Sequence, residues 1–417
     1  MEKNKIIFQK ERLYNYVKKF CFPRLAGTDN EKKAVKLALE TFKEIGFSES
    51  QIKKREFEFS DFYSTSLIKF LMVLNLIFNL ILLLLFYIHV LLTIAVIAIM
   101  AIIVSLIFRG LRYPEKRGFW GEYFGNIYNA TNVIVRIPPK KLTEEQAGNI
   151  IISAHLDSKS QTYKTFWRIN FYRLWLYSGL FQGLFYIIFI LNVFSIINID
   201  SRFIVYGSWI SVILISLSNI LLMFLNTHNN SPGALDNASG MAIVFELSRF
   251  FRKNPLNNFN IWFCQFSAEE LGTMGSRFFV DEHESEFVKG RIFQFNFDII
   301  SCANHRLNQI EYFKSYGIFP RKKIAPLLSK YIHLVADKEN IKINGFHLST
   351  GAHTDSVPFH LRDYDAIDIT TRAGALYTHS EDDSLDKIDP EILLQTCKLF
   401  KKVILMMDKD YYNLCDN

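Results

Sequence analysis

From Phe70 to Phe108 the chain carries no Asp, Glu, Lys or Arg, and His89 lies near the middle. Nothing else in the sequence restricts the fold so severely. A hydrocarbon core of roughly 30 Å needs about 20 apolar residues per helix. The run therefore supplies two membrane spans with a tight turn near Tyr87–His89. A second block is uncharged from Leu174 to Ile199, pauses at Asp200-Ser201-Arg202, and resumes from Phe203 to Asn226. It reads as a second helical hairpin, with Trp175, Tyr177 and Trp209 near the ends, where an interfacial belt would lie. Neither block carries the buried charges that line an ion or substrate path, which argues against a transporter.

Outside these blocks the pattern is that of an α/β protein. Lys10–Phe22 and Glu31–Ile45 read as amphipathic helices, the second closed by Gly46. Residues 53–59 alternate as a half-buried strand does. Asn132–Ile137 and Asn149–Ala154 read as short strands with a charged turn-and-helix segment between them. Beyond residue 226, strands are expected at Asn260–Phe266, Ile292–Phe297 and Ala366–Thr370. Helices are expected at Met241–Phe250, Met274–Glu282, Lys323–Val335 and Pro390–Met407, followed by a frayed tail at Tyr411–Asn417. The fold class this implies is α/β, a mostly parallel mixed sheet with helices on both faces. The expected boundaries are 1–65, 110–172 and 227–417 for the α/β domain, with hairpins at 66–109 and 173–226.

The net charge of +7 comes from residues that flank the apolar blocks or are scattered, without a basic–aromatic stripe, so nucleic acid is not expected as a partner. Five dispersed cysteines form neither a disulfide framework nor a CxxC pattern, which points to a reducing compartment. The start, Met1 to Phe8, lacks an apolar h-region, so no cleavable signal peptide is expected.

Chemistry gathers in five patches of His and carboxylate. They are Ser153-Ala-His-Leu-Asp157, Ser231-Pro-Gly-Ala-Leu-Asp-Asn-Ala-Ser-Gly240, Phe266-Ser-Ala-Glu-Glu-Leu-Gly272, Phe295-Asn-Phe-Asp298 and Tyr377-Thr-His-Ser-Glu-Asp-Asp-Ser-Leu-Asp386. Each falls at a strand end or in a loop, and Ser239 is placed to cap the helix that follows it. Alone, each would be a turn, a solvated acidic pair or a core histidine.

In this order and setting the five patches resemble the M28 family of zinc aminopeptidases, from about Ile6 to the C-terminal helix, interrupted by the apolar hairpins. The resemblance implies an α/β/α sandwich and two Zn2+ ions, with Co2+ or Mn2+ as other ions that such nitrogen and oxygen ligands accept. It implies Asp236 as the bridging carboxylate, His155 and Asp298 on one ion, and Glu270 and His379 on the other. Glu269 matches the general base. Asp157, two residues after His155, would hold the second nitrogen of that imidazole. Thr354-Asp-Ser-Val-Pro-Phe359 resembles the loop lining the substrate pocket, which suggests Asp355 there. Many relatives place Tyr directly before the last His; here Thr378 holds that position and Tyr377 lies one residue earlier, a second candidate for substrate contact.

The function implied is a membrane-anchored aminopeptidase hydrolysing N-terminal residues from peptides. The alternatives are a glutaminyl-cyclase-like enzyme with one zinc, of which Ser158-Lys159 is reminiscent, and an inactive peptidase-like membrane scaffold. Near the spans on the α/β side lie Lys53, Lys54, Arg55, Lys69, Arg109, Arg112, Lys116, Arg117, Lys164, Arg168 and Arg173, whereas the far turns offer Arg202 and His89. That asymmetry places the catalytic domain on the cytoplasmic side of a multi-pass protein. The expected partners are the lipid bilayer and peptides or protein N-termini near it.

Overall fold

The strand Gly148–His155 is buried along its whole length. In the computed structural model, which describes residues 8–62, 64–110, 114–117, 121–317, 321–349 and 353–415, the chain forms two units. One comprises Met1–Phe59, Ile127–Thr165 and Thr227–Asn417, the other Ser60–Asn126 and Phe166–Asn226. In chain order the elements begin α1 (Lys10–Phe20), α2 (Asp29–Ile45), β1 (Ile52–Ser60), α3 (Ser66–Ile88), α4 (Val90–Gly110), β2 (Ile127–Ile137) and β3 (Gly148–His155). Next come β4 (Ser160–Gln161), α5 (Thr165–Val193), α6 (Ser201–Met223), β5 (Thr227–His228), α7 (Ser239–Lys253), β6 (Phe259–Phe266) and α8 (Met274–His283). The chain closes with β7 (Ile292–Phe297), β8 (Ile310–Tyr316), β9 (Lys322–Lys323), α9 (Pro326–Glu339), β10 (Ile343–Leu348), α10 (Val357–His360), β11 (Asp365–Thr370), α11 (Pro390–Lys409) and α12 (Tyr411–Cys415).

In the first unit the main sheet orders as β1-β2-β6-β3-β7-β11-β8-β10, with β9 beside β8, and β4 pairs with β5 apart from it. β3 lies parallel between β6 and β7, and β11 runs parallel to β7. β2 on β6 and β8 on β11 are antiparallel, so the sheet is mixed as expected. Side chains alternate across it. Ile150, Ile152, Ile261, Phe263, Phe293, Phe295 and Phe297 enter the larger core with α1, α2, α7, α9 and α11. Ile151, Trp262, Cys264 and Phe266 enter the smaller one, with Phe279 of α8 and Phe359 of α10. Phe400 meets Phe295 and Phe297 edge-on at 5.4 and 4.9 Å, fixing α11 on β7. Such rings contribute about 0.5–1.5 kcal/mol per pair beyond their buried area.

Helix ends follow local chemistry. The Thr28 side chain caps α2 by accepting from Glu31 N, and Gly46 closes it at φ 105°. Asp389 caps α11, with Pro390 in its first turn.

Several expectations shift. Ser239 is not a cap: its hydroxyl donates to Leu235 O and accepts from Ile300 N. Ala238 occupies the cap position, and Asn237 Oδ1 accepts from Gly240 N in the first turn of α7. No helix forms between β2 and β3; Lys140 and Lys141 N–H groups bond instead to Leu256 and Asn257 carbonyls. The helix expected from Lys323 begins at Pro326. The tail is not frayed through Cys415: Tyr411 is buried against Phe259 at 5.0 Å and donates to Gln146 O. Strands β10, at the sheet edge, and β8, beside it, escaped the pattern because they are partly exposed and interrupted by Lys, Ser and Gly.

In the second unit α3, α4, α5 and α6 are each long and apolar enough to cross a membrane. The first turn falls at His89. α5 starts well before Leu174, at Thr165, because Arg168 and Arg173 do not interrupt a helix. Arg112 lies outside the described residues. A polar cluster joins three of these helices. Asn79 and Asn219 both donate to Asn75 Oδ1 at 2.8 Å, and Gln182 donates to Asn79 Oδ1 and Tyr186 OH. Gly207 lets α6 approach α5: a Cβ there would lie 2.0 Å from the Phe185 ring.

Candidate metal centre

His155 is the last residue of β3, so its side chain emerges where the central strand stops. The carbonyl of Asp157 lies 3.0 Å from its Nδ1. A carbonyl can only accept, so Nδ1 carries the proton and Nε2 presents its lone pair. The Asp157 carboxylate is farther, at 3.6 Å. It accepts instead from the backbone N–H groups of Glu269 and Glu270, both at 3.2 Å. The expected partner of the imidazole is thus the right residue through a different atom. The chain bends after β3, which turns the carbonyl toward the ring and the carboxylate toward the 269–270 turn.

Asp236 sits in a loop held from behind. Asp383 accepts from Leu235 N at 2.6 Å and Asp236 N at 3.1 Å. Asn237 Nδ2 donates to Phe297 O, and Gly240 admits that same carbonyl, since a Cβ at 240 would lie 2.2 Å from it. The Asp-Asn-Ala-Ser-Gly stretch is therefore fitted to the end of β7, just before Asp298. The wholly buried Arg24 guanidinium donates to Leu156 O, Pro232 O and Gly233 O, joining the His155 and Asp236 segments.

These elements bring five side chains together. His155 Nε2 is 3.0 Å from Asp236 Oδ1 and 3.4 Å from Asp298 Oδ1. His379 Nε2 is 3.2 Å from Asp236 Oδ2 and 3.2 Å from Glu270 Oε2. One Asp236 oxygen thus serves each histidine. Two groups capable of holding a cation result, His155–Asp236–Asp298 and Asp236–Glu270–His379, which share Asp236. His379 is fixed through Gln161, whose Oε1 faces Nδ1 at 3.0 Å. The residues fit divalent metal: the donors are imidazole nitrogens and carboxylate oxygens. Moreover, His155 Nε2, Glu270 Oε1 and Asp298 Oδ1 are buried without hydrogen-bond partners among the described residues, an arrangement costly unless something binds there.

The adjacent glutamates are driven apart electrostatically. Burial, reinforced by Glu270 and Asp298 against His155, raises Glu269 well above the carboxylate range. Burial acts likewise on Glu270, but His379 and Lys159 outweigh it and bring Glu270 to about 2. Burial would raise Asp236, but the two histidines beside it outweigh burial and hold it well below its usual value. Burial lifts Asp298 to about 6. A carboxylate that stays ionised next to one that seeks a proton is the division of labour of acid–base sites.

Asp355 and Tyr377 belong to neither group. Asp355 is fully buried, its carbonyl accepting from Gln294, and burial raises its carboxyl to about 7. The Tyr377 ring packs on the larger core with Lys387 Nζ 5.0 Å from its centroid. The Thr378 hydroxyl donates to that of Thr165. Sequence reasoning missed Arg24, Gln161 and the contact of Lys159 with Glu270; for Lys159, the signal was its place just after His-Leu-Asp-Ser.

Residues 220–404 match the model of peptidase family M28. That stretch, a little under half of the chain, is similar to the M28 peptidases. It holds Asp236, Glu269, Glu270, Asp298 and His379, while His155 joins them through the fold. The chain is 28% identical over 172 residues to the aminopeptidase YwaD of Bacillus subtilis, a match covering 40% of this chain and 35% of YwaD. It thus spans about a third of the length of that relative. In fold the chain resembles a Bacillus subtilis zinc aminopeptidase (TM-score 0.55, 15% identity, 96% of both chains). It also resembles an Acidobacteriales bacterium glutaminyl cyclase (TM-score 0.54, 14% identity, 98% of both chains).

Proposed function

We propose that the protein is a membrane-anchored, zinc-dependent aminopeptidase with two metal positions bridged by Asp236. The observation that carries this reading is the sharing of Asp236, one oxygen toward His155 and the other toward His379. His155 and Asp298 would hold one ion, Glu270 and His379 the other, as Zn2+ or another divalent ion such as Co2+ or Mn2+. A pair of such ions supplies Lewis-acid polarisation of the scissile carbonyl and an acidified water. Glu269 takes the proton of the attacking water and returns it to the leaving amine, a role that suits its raised proton affinity. Asp157 holds the backbone of both glutamates so that one ligates while the other shuttles.

The test pairs two variants with a panel of aminoacyl fluorogenic substrates, with and without chelator. Asp236→Ala removes a ligand from both positions and is expected to lose metal and activity together. Glu269→Gln is expected to keep metal and lose about 10²–10⁴-fold in turnover. Near-normal turnover in Glu269→Gln, or loss of its metal, would overturn these roles. A second reading, glutaminyl cyclisation by one ion, is favoured by the fold likeness to a cyclase and by Lys159 beside Glu270. Conversion of N-terminal glutamine to pyroglutamate without release of amino acids would select it.

The four apolar helices anchor the protein, and the basic residues flanking them favour a cytoplasmic catalytic domain. The substrates would then be peptides or protein N-termini near the bilayer. Cysteines placed at Asp200 and Lys116, in a variant without native cysteines, test this. An impermeant reagent should label position 200 in intact cells; labelling of 116 with 200 protected would reverse the topology.

A further inference from the structure

The inference here rests on the metal-centre reading above and concerns how many ions the centre holds. Lys159 is buried, at 8% exposure, in direct contact with one of the residues of that centre. Its ammonium lies 2.9 Å from Glu270 Oε2 and donates to the Glu270 carbonyl at 2.8 Å. The same Oε2 faces His379 Nε2 at 3.2 Å. A cation held by Glu270 would therefore sit beside a fixed positive charge in an enclosed, poorly screened place.

Charge balance sharpens the point. Asp236, Glu270 and Asp298 ring the centre. Behind them Asp157 is committed to backbone N–H groups. Two divalent ions alone would already exceed the charge of these three carboxylates. With Lys159 present, the second ion leaves a larger surplus positive charge in a buried site, which is unfavourable.

We propose that Lys159 is a built-in competitor for one of the two cation positions, so that one ion binds tightly and the second at least tenfold more weakly. Neighbours of metal ligands commonly alter affinity by about 10–100-fold.

The experiment is a Zn2+ titration of the purified, chelator-stripped full chain, read by calorimetry and by competition with a fluorescent chelator. The wild type should show two steps at least tenfold apart. Lys159→Gln keeps donors for Glu270 without the charge and should tighten the second step at least tenfold, as should Lys159→Met. Lys159→Arg should leave the gap unchanged and, keeping the buried cation, provides a folded comparison if the neutral variants do not fold. Two wild-type steps within threefold of each other would overturn the proposal. So would an unchanged gap in the neutral variants, or a gap closed by Lys159→Arg. A wild type that binds no ion would instead sink the metal-centre reading itself.

Discussion

The guanidinium of Arg24 donates to the carbonyl oxygen of Gly233, 3.0 Å away and just upstream of Asp236. Its Nε donates to Leu156 O at 2.7 Å, beside His155. One buried cation thus ties the N-terminal segment to both halves of the centre. Arg24→Lys presents one point charge where a planar fork reached several carbonyls. Removing one partner from a buried charged network costs about 3–5 kcal/mol. The expected result is a clear fall in Tm together with weaker Zn2+ binding, measured by thermal unfolding and metal analysis. A Tm drop with unchanged metal affinity would limit Arg24 to stability.

Asp157→Asn isolates the clamp on the glutamates. The amide has one accepting oxygen where the carboxylate has two, so the N–H of Glu269 or of Glu270 loses its partner. The carbonyl contact to His155 Nδ1 survives the change. Metal affinity should fall about 10–100-fold, and kcat should fall more than KM rises. Isothermal titration and steady-state kinetics check both.

Glu31 accepts from Ser267 Oγ and Thr131 N, and burial lifts its carboxyl from 4.5 to about 7 despite those bonds. Between these values the unfolded chain has released the proton that the folded one retains. The sign follows: stability falls as pH rises from about 4.5 to 7 and levels off above, through this group on the order of 3 kcal/mol. Glu31→Gln should flatten that segment of the stability curve. Thermal unfolding of both proteins across pH 4.5–8 measures the difference.

Gln182 joins α5 to α3 through Asn79. In a bilayer such bonds average about 0.6 kcal/mol and reach about 1.7. Gln182→Leu should therefore lower stability in detergent by an amount in that range while leaving metal content intact. Thermal unfolding and metal analysis of the same preparations decide it.

The convergence of His155, Asp236, Glu270, Asp298 and His379 was legible because each stands at a strand end or in a loop, in a recognisable local setting. The sheet was legible where strands are buried on both faces, as β3 and β6 are, because they read as continuous apolar runs. It was illegible at β8 and β10, where partial exposure admits polar residues. Lys159 and Arg24 left little trace, since their partners are mainly backbone carbonyls or one distant carboxylate, and backbone groups have no sequence signature. The atom by which Asp157 meets His155 depends on a bend that residue spacing does not encode.

β3 has its neighbours only on β6 and β7, and both are encoded after the second pair of apolar helices. While the ribosome is still making α5 and α6, the central strand has neither edge covered and His155 has no companions. Synthesis thus imposes an order of events. The nascent chain must keep that strand from pairing wrongly until residue 297 has emerged, which exposes a non-local sheet to misassembly. If the apolar helices span a bilayer as proposed, delivery of the second pair can begin before the cage is closed, and the protein would be committed to its membrane before it is able to act.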